Sequence, residues 1–203
     1  MDLKNAKSVI QMSYTDEYEI EDLKERRLFI NGEIDSCIID SIVYHVLRYN
    51  REDKGKPVEE RKPILLFINS NGGSVVDGFG VIDVMLTSKT PIYTINQAAC
   101  FSMGFLIFLG GQKRFAMPRA EFLMHDGNNA GWDSTAKLKD RMDFETGQVE
   151  EMIQKYILQQ TKITKSLYDK KYRVEWYMLP AEAKKLGVCT DIVGVDCDLD
   201  TIL

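Results

Sequence analysis

Short continuous runs of apolar residues alternate along the chain with segments whose apolar residues recur at helical spacing. The runs predict buried strands of a parallel sheet, and the spaced patterns predict amphipathic helices. Predicted strands occupy residues 27–31, 63–68, 91–95, 114–116, 121–124 and 188–193. Predicted helices occupy residues 38–47, 75–86, 133–161 and 181–186, and two others begin near residues 102 and 166. Because strands that alternate with helices require crossover connections, the sequence predicts an α/β protein of repeated strand–helix units.

The domain organisation follows from where this pattern begins. Residues 1–23 are polar and weakly patterned, so we expect a flexible N-terminal arm there. Residues 24–203 carry the strand and helix signals, and a chain of 203 residues is long enough for one domain with a sizeable core. The sequence therefore predicts a single domain that follows a short arm.

Composition and charge narrow the range of partners. The apolar fraction of 44% and the charged fraction of 28% are those of a soluble globular protein. A net charge of −5 argues against nucleic acid, because phosphate binding needs a positive surface. The most apolar stretch, residues 101–111, is about half as long as a membrane span, and the N-terminus lacks the apolar segment of a secretory signal. We therefore expect a cytoplasmic protein with neither a nucleic-acid nor a membrane partner.

The four cysteines form no Cys-x-x-Cys pair and have no histidine neighbours at zinc-binding spacing. We therefore expect reduced thiols, no metal site and no cofactor. Cys100 lies two residues before Ser102 and is a rival nucleophile in principle, but a small buried apolar role suits it better.

Two strand-to-helix turns carry candidate chemistry. Gly72-Gly73 follows the strand 63–68, and glycines there allow close backbone approach and leave N–H groups unpaired, although a plain tight turn is the favoured explanation for the pair in isolation. Ser102 stands at the second turn and is followed by Met103-Gly104; a serine in this place is usually only a helix cap. If Ser102 is instead a nucleophile, the N–H groups of Gly73 and Met103 would form a two-donor oxyanion hole.

A histidine supplies the base that such a serine needs, because a hydroxyl is a weak nucleophile until its proton is removed. The chain has two histidines. His45 falls on the solvent face of helix 38–47, whereas His125 ends the strand 121–124 and is followed by Asp126-Gly127, a pair typical of an exposed turn. A core histidine with both nitrogens paired is the alternative for His125. The pattern predicts Ser/His chemistry.

The ordered set of motifs resembles the proteolytic subunit of the Clp protease, a family of serine peptidases. The matching segments are residues 23–33, 66–73, 94–104, 122–126 and 180–187. Asn71 stands where the family usually has proline. The resemblance implies a ClpP/crotonase-like fold with a long protruding helix, and an ATP-dependent serine endopeptidase that acts through an acyl-serine intermediate.

Catalytic residues follow from the resemblance by position. It implies Ser102 as nucleophile, His125 as general base, and Gly73 and Met103 as oxyanion donors. The family places an aspartate two residues before an aromatic residue, and counting without gaps reaches Glu175 at that place. Glutamate orients the imidazole in triads on other folds, so Glu175 is the predicted third member.

Two further expectations concern the same site. Asp169 is the alternative third member of the triad. The peptide is expected to lie as an added strand along residues on both sides of the nucleophile, namely Ser74, Val75 and Gly127.

Assembly is also implied by the resemblance. Members form homo-oligomers of two stacked seven-membered rings around a closed chamber, and the helix that follows the histidine contacts the opposite ring. A ring-shaped AAA+ ATPase unfolds protein substrates and feeds them in through N-terminal gates. Here that helix is 133–161 and the gate is the arm 1–23, whose sequence is unlike the usual apolar start.

Two other functions stay open at this point. The related crotonase fold also uses two backbone amides as an oxyanion hole, so an acyl-coenzyme A enzyme is one alternative. A catalytically weak or silent ring subunit is the other, because Glu175 replaces the family's aspartate and the arm is unusual.

Overall fold

The computed structural model describes residues 14–127 and 133–203. The strands are β1 (Arg27–Asn31), β2 (Ile64–Ser70), β3 (Ile92–Phe101), β4 (Lys113–Ala116), β5 (Glu121–Met124), β6 (Trp176–Met178) and β7 (Asp191–Ile192). The helices are α1 (Tyr14–Lys24), α2 (Tyr44–Glu52), α3 (Val75–Thr87), α4 (Met103–Leu109), α5 (Thr135–Phe144), α6 (Glu150–Gln160), α7 (Lys165–Lys171) and α8 (Pro180–Lys185).

One mixed sheet organises the described residues. Its main path runs β1-β2-β3-β4-β7 and is parallel throughout. The long strand β3 then changes partner: Tyr93–Asn96 pair with β4, whereas Ala99–Phe101 pair in parallel with β5. β6 adds to β5 in the antiparallel direction. The carboxyl ends of β2, β3 and β5 therefore lie side by side at one edge of the sheet.

The predicted α/β class is confirmed, and differences occur where the apolar signal is short. β3 continues to Phe101, beyond the predicted end at residue 95, because its second half pairs with β5. Strand β6, of three residues, was not predicted. Helix 38–47 begins as a π-helical turn, Ile39–Val43, before it continues as α2. The last strand is reduced to β7.

Helix α4 lies in the core because every residue from Met103 to Leu109 is apolar or glycine, and all of them are buried. The rings of Phe105 and Phe108 pack against Phe122 of β5, with centroids 6.5 and 5.0 Å apart. Aromatic pairs of this kind favour defined orientations. They fix the start of α4 relative to β5, which carries His125 at its end.

The predicted long helix is present as α5 and α6, joined by a π-helical turn at Glu145–Val149. Gly147 lies in that turn, where the helix would be weakest, because glycine lowers helix propensity. Within the predicted arm 1–23, residues 14–23 belong to helix α1, and residues 1–13 lie outside the described residues. No helix in the described part of the chain combines the length and the apolarity needed to cross a bilayer.

A buried ion pair ties the amino ends of the strands together. Asp53 is 0% exposed, and its carboxylate accepts two hydrogen bonds from Arg26, at 2.5 and 3.0 Å. Thr90 and Lys56 also donate to it, at 3.0 and 2.9 Å. The Arg26 hydrogen bonds, helped by those from Lys56 and Thr90, hold the pKa of Asp53 well below its usual range. Arg26 in turn donates to the carbonyl of Lys62, 2.9 Å away.

We expect Asp53→Asn to lower the free energy of unfolding by roughly 3–5 kcal/mol near pH 7, because it removes the buried carboxylate that pairs with Arg26 and leaves only the more distant, half-exposed Glu52. The folded-state pKa of Asp53 is lowered, so the stabilisation is present above the unfolded-state pKa of about 4 and is lost as the pH falls below it. Urea titrations between neutral and acidic pH measure both effects.

The matched control is Glu52→Gln, which alters a half-exposed carboxylate 3.7 Å from the same guanidinium. It should change stability by less than about 1 kcal/mol. An Asp53→Asn protein as stable as the wild type would contradict the assignment.

Candidate active site

Ser102 occupies a strained turn between β3 and α4. Its backbone has φ +52° and ψ −120°, a left-handed conformation that non-glycine residues rarely adopt. The Ser102 N–H donates to the carbonyl of Leu123 on β5, at 3.0 Å, and its carbonyl accepts from the first turn of α4. A sharp strand-to-helix turn of this kind places a nucleophilic side chain clear of the sheet on other folds.

The glycine turn after β2 lies directly against this serine. A Cβ atom on Gly72 would be 2.6 Å from the Cβ of Ser102 and 3.2 Å from the nitrogen of Met103. Gly72 has φ +105° and Gly73 has φ +147°, so both positions suit glycine on conformational grounds as well. The Gly72 N–H donates to the buried Ser70 hydroxyl at 3.0 Å, which holds the turn in this shape.

Two backbone N–H groups are available at this junction. The Gly73 N–H donates to no other group among residues 14–127 and 133–203, and neither does the Met103 N–H. Met103 is 1% exposed, and Gly78 of α3 leaves the space that its side chain fills. Buried backbone donors are normally paired, so the unpaired N–H of buried Met103 is unusual and is available to bind an oxyanion; the N–H of Gly73, which is exposed, is also available.

His125 follows β5 at the same edge of the sheet as Ser102. Phe101 pairs with Leu123, so Ser102 and His125 both lie just past the carboxyl ends of two adjacent parallel strands. The Nε2 atom of His125 is buried and has no hydrogen-bond partner in the described structure. The Ser102 hydroxyl therefore does not donate to Nε2 of His125 in this structure. Catalytic hydrogen bonds are often long or poorly aligned before substrate binds, and the unpaired Nε2 is left to accept the serine proton.

The two candidates for the third member are placed differently. In the β5–β6 ladder, Met124 pairs with Trp176, so the next pair in the same register is His125 with Glu175. Glu175 is exposed, and its carboxylate accepts from the Tyr177 hydroxyl at 3.0 Å, not from the imidazole. Asp169 lies on α7, where it binds Lys165 and Gln154 at 2.7 and 3.2 Å. The observed ladder ends at Met124 and Trp176, and its extension by one residue would bring Glu175, and not Asp169, opposite the histidine.

A cavity of ≈ 540 Å³ opens beside the serine. The residues predicted to hold the peptide, Ser74, Val75 and Gly127, line it together with Gly73 and Ser102. The opposite wall comes from one face of α5, the π-helical turn and α6, and sequence reasoning missed its role in the site. That wall includes Arg141, Phe144, Glu145, Val149, Glu150, Met152 and Ile153. Their helical spacing indicates that they share one side of the helix, but only the fold shows that this side lines the cavity.

Cys100, the rival nucleophile, and His45, the second histidine, both pack against other residues away from the cavity. Cys100 is 0% exposed, and burial raises the pKa of its thiol, so it is not a thiolate. His45 is half-buried and not solvated as expected; its ring stacks on Tyr49, 6.2 Å away. Burial lowers the pKa of His45. Neither residue lines the cavity beside Ser102.

Comparison with known proteins decides the family. The Clp protease family profile matches residues 13–196. The chain belongs to the Clp protease family.

Its relatives include members from an alga and from bacteria. The ATP-dependent Clp protease proteolytic subunit of Chaetosphaeridium globosum is 30% identical over 177 residues, which cover 86% of this chain and 85% of the relative. Subunit 2 of the same name from Prochlorococcus marinus (strain NATL2A) is 29% identical over 174 residues, 83% of this chain and 82% of the relative. The subunit from Leuconostoc citreum (strain KM20) is 36% identical over 105 residues, 51% of this chain and 50% of the relative. The family assignment supports a Clp-type peptidase.

We expect Gly72→Ala to reduce kcat/KM of this Clp-family peptidase by about 10²-fold or more, because the new methyl group would displace Ser102 and an oxyanion donor together. Peptide hydrolysis by the purified assembly measures the loss. Gly55→Ala is the matched control: Gly55 also has a left-handed backbone (φ +91°), but open space surrounds its Cβ position. Equal activity in the two variants would show that the contact with Ser102 is unimportant.

Proposed function

We propose that the chain is a serine endopeptidase that cleaves peptide bonds through an acyl-Ser102 intermediate. The observation that carries this proposal is the left-handed turn of Ser102, wedged between the Gly72-Gly73 turn and β5. Strain of this kind costs about 1–3 kcal/mol and persists where the surrounding structure enforces it, which is common at active sites.

The reaction assigns one step to each group. The Ser102 Oγ attacks the peptide carbonyl carbon while Nε2 of His125 takes its proton. The N–H groups of Gly73 and Met103 bind the resulting oxyanion. His125 then protonates the departing amine, and a water activated by the same imidazole hydrolyses the acyl ester.

The remaining residues orient the base and the substrate. Glu175 would accept a hydrogen bond from Nδ1–H of His125, which fixes the imidazole and stabilises its charged form. The peptide would lie as an added strand along Gly73–Val75 and the turn at Gly127, so that backbone hydrogen bonds dominate its binding. Broad sequence selectivity follows from such binding.

Assembly into stacked heptameric rings is part of the proposal. On the long helix, Met142 is 60% exposed and lies outside the cavity wall, while Phe144 and Met152 at the edge of that wall are 45% and 44% exposed; exposed apolar faces often mark interfaces. The names of the relatives include ATP dependence, which supports an AAA+ unfoldase as the partner that delivers unfolded protein. A gate in the arm 1–23 and a cytoplasmic location, consistent with the free thiols, complete the proposal.

One observation favours the alternative of a catalytically silent ring subunit. The Glu175 carboxylate binds Tyr177 and not His125, so the triad is incomplete in this structure. Catalytic hydrogen bonds are often unmade in ligand-free enzymes, so this geometry alone does not exclude activity.

A serine-reactive fluorophosphonate separates these possibilities. We expect it to modify Ser102 in the assembled protein, as located by mass spectrometry, because only an activated hydroxyl reacts readily. Ser102→Ala should abolish labelling, and Ser166→Ala, which removes an exposed hydroxyl on α7, should leave the labelling at Ser102. Labelling elsewhere, or none at all, would refute the proposed mechanism.

The ring assembly has its own test. Met142→Asp places a charge on the proposed inter-ring face and should convert double rings to single rings, because burying an unpaired charge is unfavourable. Analytical ultracentrifugation measures the change. Val195→Asp alters a residue that is 72% exposed near the C-terminus and should leave the assembly intact. An unchanged mass for Met142→Asp would contradict the proposed interface.

A further inference from the structure

The residue opposite the catalytic histidine is in place, but its side chain is engaged elsewhere. Met124 and Trp176 form the last observed pair of the β5–β6 ladder, so its extension by one residue sets Glu175 across from His125, and residues directly opposite in such a ladder project from the same face. Yet among the described residues His125 makes no hydrogen bond through Nε2, and Glu175 accepts one from Tyr177. The backbone is therefore arranged for a triad that the side chains have not formed.

Tyr177 is well placed to hold the carboxylate. It lies two residues after Glu175 on the same face of β6, and its hydroxyl is 3.0 Å from Glu175 Oε2. Its ring packs edge-on against Phe101, with centroids 5.9 Å apart at 88°. Phe101 immediately precedes Ser102, so the strand that carries the nucleophile also fixes the position of the Tyr177 hydroxyl.

We propose that Tyr177 is a positioning residue that holds Glu175 away from His125 in the unliganded chain, and that activation transfers the carboxylate from the phenol to the imidazole. The inference rests on the proposed serine peptidase function. The restraining group is the Tyr177 hydroxyl and not its ring, because the hydroxyl competes with the His125 Nδ1–H for the Glu175 carboxylate.

The exchange requires little rearrangement. Glu175 is exposed and Tyr177 is 52% exposed, so the carboxylate is not held by burial and the Tyr177 hydroxyl is its hydrogen-bond partner among the described residues. One hydrogen bond to a carboxylate is replaced by another, so the two states are close in free energy and small changes in contacts can shift the balance. The Glu175 hydrogen bond raises the pKa of Tyr177, which keeps the phenol protonated as a donor.

The test compares Tyr177→Phe with the wild type. The substitution keeps the ring on Phe101 and removes the hydroxyl, so we expect kcat for a fluorogenic peptide to rise by roughly 3- to 10-fold with KM changed less than about twofold. Tyr44→Phe is the matched control, because it removes a hydroxyl from a 65% exposed tyrosine on α2, outside the site. On a Glu175→Ala background, Tyr177→Phe should have no effect on kcat.

A spectroscopic readout keeps the test independent of turnover. The chain has only two histidines, so imidazole ¹H–¹⁵N spectra resolve His125 with His45 as an internal reference. In Tyr177→Phe we expect a downfield Nδ1 proton on His125, because it now donates to the carboxylate, and no such signal when Glu175 is also replaced by Ala.

The outcomes separate the two hypotheses. Failure of the wild type to react at Ser102 refutes the peptidase mechanism, and the His125 spectrum still decides the role of Tyr177. If Tyr177→Phe leaves the His125 signal unchanged, or lowers kcat equally with and without Glu175, the hydroxyl does not restrain the carboxylate and the inference is overturned.

Discussion

The site depends on one backbone constraint, which is the left-handed conformation of Ser102 at the end of β3. The residue is held from three sides: its N–H binds β5, Gly72 presses against its Cβ, and the buried helix α4 begins at the next residue. None of these contacts alone would enforce φ +52° on a serine. Together they hold the Gly72-Gly73 turn beside Ser102, so that Gly73 and Ser102 line the same cavity.

The amino and carboxyl ends of the strands differ in their polar contacts. At the amino ends of the strands, the Arg26–Asp53 pair gathers segments that lead into β1, β2 and β3 through side-chain and carbonyl contacts. At the carboxyl ends, the N–H groups of Gly73 and Met103 and the Nε2 of His125 have no partner among residues 14–127 and 133–203. The amino ends of the strands thus hold the buried ion pair, and the carboxyl ends hold the candidate site.

Long apolar runs and characteristic turns were predicted from the sequence, whereas the short strand β6 was missed. The apolar run of β2 and the Gly72-Gly73 turn were predicted because a buried parallel strand and its turn have local signatures. The placement of Ser102 near His125 followed because carboxyl ends of parallel strands share an edge. Strand β6 was missed because three residues are too few to show a period, although Trp176 and Tyr177 favour strands.

Other parts of the site lay beyond local reasoning. The choice of Glu175 over Asp169 came from counting within a family motif, whereas the structure supplies a physical reason in the β5–β6 register. The far wall of the cavity comes from the long helix, and no periodic pattern shows which surface it will face. The hydrogen bond from Tyr177 to Glu175 could not be predicted either, because the sequence does not show which partner each side chain contacts.

A crystal structure of the assembled protein with a peptidyl phosphonate bonded to Ser102 tests the central claim most directly. The account requires one phosphonyl oxygen to lie about 2.7–3.1 Å from both the Gly73 and the Met103 nitrogen atoms, with His125 beside the serine oxygen. An adduct whose oxygen points away from both amides, or whose serine is remote from the imidazole, would contradict it.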